Sequence, residues 1–271
     1  MRTAARIVEL AQKMRAEADQ VPVEEVSIDR LILGTECGGS DPTSGLAANP
    51  VVGICSELLV EKGATVILSE TPELIGTEAI LGERCRDEKV KEQLLSKINP
   101  YAHAFLLAGE NPRSGNPTPG NIAGGITTLE EKSLGCIHKS GNCVIQEVVP
   151  YGAPITQKGL VVMDTPGQDI ASIVGMAAAG AQMVVFTTGH GTPTGSGIVP
   201  VIKLTANQET AELMKDNIDF DCSQVLTKGK AIEEAGRELF ALVERVARGQ
   251  ETKAEALGFQ DVSLARYCNF A

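Results

Sequence analysis

The hydrophobic positions of this 271-residue chain form short apolar runs that alternate with longer segments of helical periodicity. The short runs have the length of strands buried on both faces, and they lie at residues 31–33, 64–68, 144–149, 160–163, 183–187 and 199–204. Helices are predicted between or beside them, at residues 50–62, 77–97, 127–138, 170–179 and 231–248. Strand, crossover helix and strand form βαβ units. The pattern predicts an α/β fold, a mostly parallel, Rossmann-like doubly wound sheet with helices on both faces.

The first predicted helix, residues 3–18, carries an apolar stripe that predicts a core-facing surface. The stripe consists of Ile7, Leu10, Ala11 and Met14. Another helix is predicted to begin at Asn49-Pro50, because asparagine is a good N-cap and proline fits the first helical turn. Gly63 is placed to end that helix. Since no fixed-period repeat or low-complexity segment interrupts the pattern, a single α/β domain is predicted over residues 1–271.

Charge and composition narrow the classes of function. A net charge of −11 disfavours nucleic-acid binding, because such a surface does not neutralise a phosphate backbone, and 3% aromatic residues offer little base stacking. Neither a signal peptide nor a run of about 18 apolar residues is evident. The seven cysteines are odd in number and lack CxxC spacing, which favours cytosolic free thiols. The sequence therefore predicts a cytoplasmic protein with no nucleic-acid or membrane partner.

Three loops rich in glycine and hydroxyl residues directly follow predicted strands. In an open α/β sheet such loops meet at the edge where ligands bind; they are residues 34–49, 164–169 and 188–197. A fourth loop, residues 109–125, is placed to approach the same edge. Gly38 and Gly39 allow close backbone approach, and the helix beginning at Pro50 offers free N–H groups to an anion. Any one loop is equally consistent with a simple turn, but together they predict a small-anion site.

Within these loops, a few side chains are candidates for chemistry. Cys37, with Asp41 close to it in sequence, is interpreted equally well as a functional residue, a metal ligand or a wall of the site, and as a small buried hydrophobic residue. Glu70 ends the second strand at the same edge, where a capping role is the alternative. His190 lies between two glycines, and histidine titrates near neutrality, so it is a candidate acid or base. Lys203 is interpreted either as a partner for a carboxylate or as a solvated lysine.

Nucleotide binding and a metal site have no specific motif in this sequence. Neither GxxxxGK[ST] nor a strand–GxGxxG–helix occurs, and the scattered acids and thiols show no HExxH or HxxxH spacing. A generic nucleotide-binding α/β domain remains an alternative that the motifs do not support.

Several longer motifs, in order over residues 30–260, are specific enough to carry a resemblance. They are Glu36-Cys37-Gly38-Gly39-Ser40-Asp41, Ser44-Gly45, Ala48-Asn49-Pro50, Leu68-Ser69-Glu70, Asn116-Pro117-Thr118-Pro119-Gly120-Asn121, Glu131-Lys132-Ser133-Leu134-Gly135, Met163-Asp164-Thr165-Pro166-Gly167, Phe186-Thr187-Thr188-Gly189 and Val201-Ile202-Lys203. Together they resemble the altronate/D-galactarate dehydratase family, which also includes the large subunit of sulfolactate sulfo-lyase. The Met163–Gly167 and Asp221-Cys222 stretches look closer to altronate than to galactarate dehydratases.

The resemblance implies a hydro-lyase of sugar-acid catabolism that converts an altronate-like aldonate or an aldarate to a 2-keto-3-deoxy acid. It also implies a divalent metal, iron(II) or manganese(II). Carried onto this chain, the expected catalytic residues are Asp41 and Glu70, to which His190 is added as the candidate acid or base identified above, and the expected metal ligands are Cys37, Glu70 and Cys222. The residues expected to bind the substrate are Gly38, Gly39, Ser40, Ser44, Asn121, Lys132 and Lys203.

Two departures from the family pattern leave alternatives open. His190 stands where the family usually has an arginine, and a histidine does not bind a carboxylate bidentately as a guanidinium does. A sulfo-lyase acting on sulfolactate and a non-catalytic subunit that binds small acids therefore remain alternatives. Family chains also begin well before the position that aligns with residue 1. The chain thus resembles their C-terminal catalytic portion, completed by an N-terminal region or a small subunit, and a homo-oligomer is expected.

Overall fold

The computed structural model describes residues 2–22, 24–107 and 109–263. Within these residues the strands are β1 Ile32–Gly38, β2 Thr65–Leu68, β3 Ile145–Val149, β4 Gly159–Met163, β5 Met183–Thr188, β6 Val201–Thr205 and β7 Phe220–Asp221. The described strands form one seven-stranded sheet in the order β3-β4-β2-β1-β5-β6-β7. Every neighbouring pair is parallel. The predicted α/β fold with a parallel sheet is confirmed.

Helices cover both faces of this sheet. In the described chain they are α1 Arg2–Ala18, α2 Asn49–Glu61, α3 Glu78–Glu83, α4 Glu88–Leu107, α5 Pro112–Gly115, α6 Pro119–Gly124, α7 Leu129–Ile137, α8 Asp169–Ala178, α9 Gln208–Leu213, α10 Gln224–Thr227, α11 Ile232–Ala247 and α12 Lys253–Ala256. One apolar core joins the sheet to α2, α4, α7 and α11. A second core joins the opposite face to α8, through Ile173 and Met176. The doubly wound arrangement follows from these two cores.

Strand β1 lies at the centre of the sheet, where the strand order changes direction. Its neighbours are β2 on one side and β5 on the other, and Cys37 and Gly38 pair with Thr187 and Thr188 at the carboxyl end. Ligands of open α/β sheets bind at such a switch point, outside the carboxyl ends of the strands. The loops after β1, β2 and β5 therefore lie at the edge where a ligand is expected to bind.

Five local predictions were wrong. Asn49 does not cap α2, because the π-helical turn Ser44–Ala48 continues directly into the helix and the Asn49 N–H donates to the Ser44 carbonyl. Helix α1 forms as predicted, but it does not face the core, because all of its residues are exposed. The loop predicted to begin at residue 34 is strand until Gly38, since Thr35 and Glu36 are buried and hydrogen-bonded within the protein. The helix predicted at 77–97 divides into α3 and α4, and the loop predicted at 109–125 contains α5 and α6.

No helix among the described residues combines the length and apolar character needed to cross a membrane. A single domain over residues 1–271 stays a prediction. Residues 1, 23, 108 and 264–271 of that range lie outside the described part of the chain.

Candidate active site

A cavity of about 220 Å³ opens at the carboxyl end of β1. One side is the chain that follows β1, including a π-helical turn at Ser44–Ala48 that continues directly into α2. Single π-helical turns are frequent at functional sites. The other side is α7. The polar and thiol side chains that line the cavity are Cys37, Ser40, Asp41, Ser44, Asn49, Glu131, Lys132, Cys136 and His138.

Two of the cavity-lining residues, Cys37 and Cys136, lie next to Glu70, and we call these three residues the thiol–carboxylate cluster. Their ligand atoms, two sulfurs and a carboxylate oxygen, all lie within 4.8 Å of one another, and all three residues are buried. Cys37 comes from β1, Glu70 follows β2, and Cys136 comes from α7. Metal–sulfur and metal–oxygen bonds are about 2.0–2.3 Å long, so ligand atoms this close can share one ion.

Glu70 is held in an unusual backbone conformation. Its φ of 65° is in the left-handed region, which costs a residue with a side chain about 1–2 kcal/mol. Its N–H donates to Thr165 Oγ1 at 2.7 Å, while its carboxylate oxygen Oε2 accepts from the Cys37 N–H at 2.9 Å and from Lys139 Nζ at 2.6 Å. These three contacts hold the backbone in that conformation and aim the carboxylate at the two thiols.

Lys139 is the cation of this cluster, and it has no exposed surface. Burial alone would lower the pKa of Lys139, but the adjacent Cys136, Cys37 and Glu70 raise it well above its ordinary value. The hydrogen bond with Cys136, and then burial and the Glu70 charge, raise the pKa of the Cys37 thiol well above its usual range. In this state Lys139 is an ammonium that neutralises Glu70, and Cys37 is a protonated thiol.

Behind the cluster, on the opposite side of β1, lies a second buried carboxyl group. Glu36 Oε2 accepts from Ser69 Oγ at 2.9 Å and from Ser172 Oγ at 2.6 Å, whereas Oε1 has no partner among the described residues. Burial, and then the negative charge of Glu70, raise the pKa of Glu36 well above its ordinary value. The raised pKa favours the neutral form of Glu36, which avoids a second negative charge next to Glu70.

Gly38 ends β1 against another acid, Asp169 at the start of α8. A Cβ on Gly38 would lie 2.6 Å from Asp169 Oδ2, so a side chain does not fit there. Burial, followed by the charge of Glu70, raises the pKa of Asp169 to about 6. Glu36 and Asp169 are thus two acidic groups on the α8 side of the sheet, across β1 from the cluster.

Asp41 lines the cavity, but its carboxylate is occupied by contacts within the protein. Oδ1 accepts from the Ser44 N–H at 3.1 Å, and Oδ2 accepts from Asn207 Nδ2 at 2.9 Å. A Cβ on Gly124 would lie 3.3 Å from the Asp41 Cβ and 2.7 Å from His190 Nε2, so α6 fits against both residues only because position 124 is glycine. In this arrangement Asp41 joins the loop after β1 to the segment after β6.

His190 lies at the outer rim of the site and is exposed. Its N–H donates to the Gly39 carbonyl at 2.9 Å, and its Nε2 lies 3.2 Å from the Gly120 carbonyl oxygen. Asn121 contacts the same rim, because its Nδ2 donates to the Ser40 carbonyl at 2.8 Å. His190 and Asn121 therefore lie on the same side of the sheet as Asp41, although neither lines the cavity.

Two predicted site residues are engaged elsewhere. Lys203 Nζ donates to the carbonyls of Pro193 and Thr194, both at 3.1 Å, and holds the loop after β5. Cys222 Sγ donates to the Thr205 carbonyl at 3.2 Å. Lys203 does not line the cavity, and Cys222 is not part of the thiol–carboxylate cluster.

The sequence reasoning missed Cys136 and Lys139, which the structure brings to Cys37 and Glu70. A signal was present, because Lys132 and Cys136 are spaced i, i+4 along the helix predicted at 127–138, and Lys139 follows at i+7, one residue beyond its predicted end. Such spacing places polar and thiol groups on one helical face, where an apolar stripe is the usual pattern.

Comparison with known proteins gives one family across the chain. The family model described as D-galactarate/altronate dehydratase, C-terminal, matches residues 28–269. Altronate dehydratase of Escherichia coli (strain K12) is 41% identical over 241 residues, which is 89% of this chain and 48% of that protein. Galactarate dehydratase (L-threo-forming) of the same strain is 39% identical over 245 residues, 90% of this chain and 47% of that protein.

The chain covers a larger share of a third relative. The (2R)-sulfolactate sulfo-lyase subunit beta of Chromohalobacter salexigens is 37% identical over 266 residues, 97% of this chain and 68% of that subunit. The chain spans about half the length of the two dehydratases named above.

Proposed function

Because the chain belongs to the D-galactarate/altronate dehydratase family, we propose that it carries the active site of a hydro-lyase acting on a sugar acid. The substrate is an altronate-like aldonate or an aldarate, and the product is a 2-keto-3-deoxy acid. The observation that carries the proposal is the thiol–carboxylate cluster, whose two thiol residues line the cavity at the carboxyl edge where α/β sheets bind ligands. The names of the two dehydratase relatives support the substrate class.

The cluster residues suit a divalent cation. Two thiolates and one carboxylate carry three negative charges, which a divalent ion and the Lys139 ammonium together balance. Thiolate ligands suit iron(II) better than manganese(II), which prefers oxygen. Iron(II) is therefore the proposed metal, held by Cys37, Glu70 and Cys136. When bound, such an ion stabilises the negative charge that develops on the substrate when the proton next to its carboxylate is removed.

The remaining roles belong to residues of the chain itself. Lys139 and the Cys37 N–H orient the Glu70 carboxylate. The hydroxyls of Ser40 and Ser44 line the cavity and are proposed to bind hydroxyl groups of the substrate. His190, exposed at the rim, is proposed to exchange a proton with the leaving hydroxyl group.

A further protein region is proposed to cover the cavity. Leu46 and Leu134, which line its opening, are 65% and 42% exposed, and exposed apolar groups around a site are typical of a covered surface. The chain spans only about half of its dehydratase relatives. The missing partner is either the rest of such a chain or a separate subunit, as the name of the sulfo-lyase relative suggests.

The test is a substrate panel with iron(II) supplied under reducing conditions and with the covering region added. Formation of a 2-keto acid from altronate or galactarate is the expected result. Release of sulfite from sulfolactate would instead favour the alternative of a sulfo-lyase, which the 68% coverage of the sulfo-lyase subunit supports. No product from any of the three acids would contradict the enzymatic proposal and favour a subunit that binds small acids.

A further inference from the structure

We infer that Glu73 and Asn116 position Lys132 as the cation that binds the carboxylate group of the ligand in the cavity. The identity of the ligand as a hydroxy acid rests on the proposed function. The positioning itself rests on the geometry of three side chains from three separate segments.

These three side chains form a closed ring of hydrogen bonds. Lys132 Nζ donates to Glu73 Oε1 at 3.1 Å and to Asn116 Oδ1 at 3.0 Å. Asn116 Nδ2 donates in turn to the same Glu73 Oε1 at 3.1 Å. Each member fixes the other two, so the Lys132 ammonium is held at one place in the wall of the cavity.

The ring leaves the ammonium able to bind a ligand. An ammonium has three N–H donors, and the described contacts of Lys132 use two of them. Lys132 lines the cavity, and its side chain is 12% exposed, so the third donor is available from that side. A carboxylate is the acceptor that such a partly desolvated cation binds most strongly among the groups of a hydroxy acid.

The other buried lysines of the described chain do not compete for this role. Lys139 is bound to Glu70 and Lys203 to two backbone carbonyls, and neither lines the cavity. Lys132 is the one lysine or arginine among the described residues that does.

Glu73 has a feature that packing does not explain. Its second oxygen, Oε2, is buried and has no hydrogen-bond partner among the described residues. A half-paired buried carboxylate is unfavourable for stability. Its position beside Lys132 gives Glu73 a role, because the carboxylate fixes the position of the ammonium group and offsets part of its positive charge.

Two substitutions separate the effect of the Lys132 charge on ligand binding from that of the Glu73 charge. Lys132→Met removes the charge with little change in length, and the loss of a charge-assisted hydrogen bond is expected to weaken carboxylate binding by about tenfold or more. Glu73→Gln keeps an oxygen for Lys132 and Asn116 and removes the opposing charge, so carboxylates are expected to bind about threefold or more tightly. If Glu73 and Lys132 formed only a structural ion pair, Glu73→Gln would not tighten the binding of carboxylates.

The experiment is titration calorimetry on the 271-residue chain without added metal, so that turnover is not required. The probes are galactarate, the smaller hydroxy acid glycerate, and uncharged galactitol. The control is Lys97→Met, since Lys97 pairs with Asp164 at 3.5 Å and does not line the cavity. We expect Lys132→Met to weaken binding of the acids only, Glu73→Gln to tighten it, and the control and galactitol to show no change.

The outcomes distinguish this inference from the proposed function. Binding of glycerate but not galactarate, with the expected effects of both variants, supports the inference and contradicts the proposed substrate class. Unchanged acid binding in Lys132→Met, weaker binding in Glu73→Gln, or no binding of either acid to the unaltered chain would overturn the inference.

Discussion

At the scale of single residues, the site depends on charges that are balanced inside the protein. Glu70, Cys37 and Cys136 are buried together with Lys139, and a buried charge is tolerated only when it is paired. Removing one partner of such a pair is far more destabilising than the pair is stabilising. The cluster is therefore best tested with substitutions that change the ligand atoms and keep the charges of Glu70 and Lys139.

Cobalt(II) binding tests the two thiols directly. Cobalt(II) takes similar ligands to iron(II), and a cobalt–thiolate bond has a charge-transfer absorption that cobalt–oxygen bonds lack. Cys37→Ser and Cys136→Ser are each expected to reduce this absorption, and the double variant is expected to abolish it. Cys85→Ser is the control, because Cys85 is half-buried and outside the cluster. Full absorption in the double variant would show that the metal binds elsewhere.

Cys222 gives a prediction about stability at alkaline pH. Burial, and then Asp221, raise the pKa of Cys222 to about 12. An unfolded thiol loses its proton near pH 8.5 while the native thiol keeps it, so this residue lowers the free energy of unfolding as the pH rises towards 12. Cys222→Ser keeps a donor for the Thr205 carbonyl and does not titrate.

The measurement is urea unfolding of both proteins at about pH 8 and pH 10. Relative to Cys222→Ser, the unaltered protein is expected to lose about 1–2 kcal/mol between these values. Parallel pH dependence of the two proteins would mean that the thiol ionises as readily in the native state as in the unfolded chain.

The sequence predicts the location of individual site residues well where the end of a strand is recognisable. Cys37 and Glu70 follow or end apolar runs, and the structure places both at the predicted edge. Lys203 also adjoins such a run, yet its side chain turns to the carbonyls of Pro193 and Thr194. The direction of a long side chain depends on tertiary neighbours, which are separated in sequence, and a local pattern does not contain them.

At the scale of elements, helices α1 and α11 show again that a local pattern does not contain the tertiary neighbours. Both have an apolar stripe at helical spacing, and both form helices. The stripe of α11 is buried against α2, whereas α1 has no buried residue. Periodicity predicts that a helix can bury one face, but it does not identify the surface that receives the face.

Deleting α1 tests whether it contributes to the stability of the fold. Because none of its residues is buried, removal of residues 1–20 is expected to change the free energy of unfolding by about 0.5 kcal/mol or less. Leu239→Ala in α11 is the comparison. Leu239 has no exposed surface, so its truncation is expected to cost about 2–5 kcal/mol. Urea unfolding measures both. A loss in the deletion as large as that of Leu239→Ala would show that α1 packs against the protein in solution.

At the scale of the whole molecule, the strand order explains why distant segments share one site. Because β2 and β5 flank β1 and all three run parallel, their carboxyl ends lie side by side. The sequence predicts this edge from the βαβ pattern. It does not predict that α7 closes the cavity, since α7 is one of several helices in the long connection between β2 and β3, and its position depends on packing rather than on chain order.

The last prediction concerns the covering region, which is proposed from the exposed rim and from the half-length match to the dehydratases. The isolated chain is expected to be folded, because two buried apolar cores lie within the described residues, yet to show little turnover. Adding the N-terminal half of an altronate dehydratase relative, fused or as a separate chain, is expected to restore turnover.

Leu46→Glu is expected to weaken this restoration, because it places a charge on the proposed interface. Leu213→Glu, a change at a leucine that is 77% exposed and does not line the cavity, is expected to have no effect. Full turnover of the isolated chain, or equal effects of the two substitutions, would contradict a partner that binds across this opening.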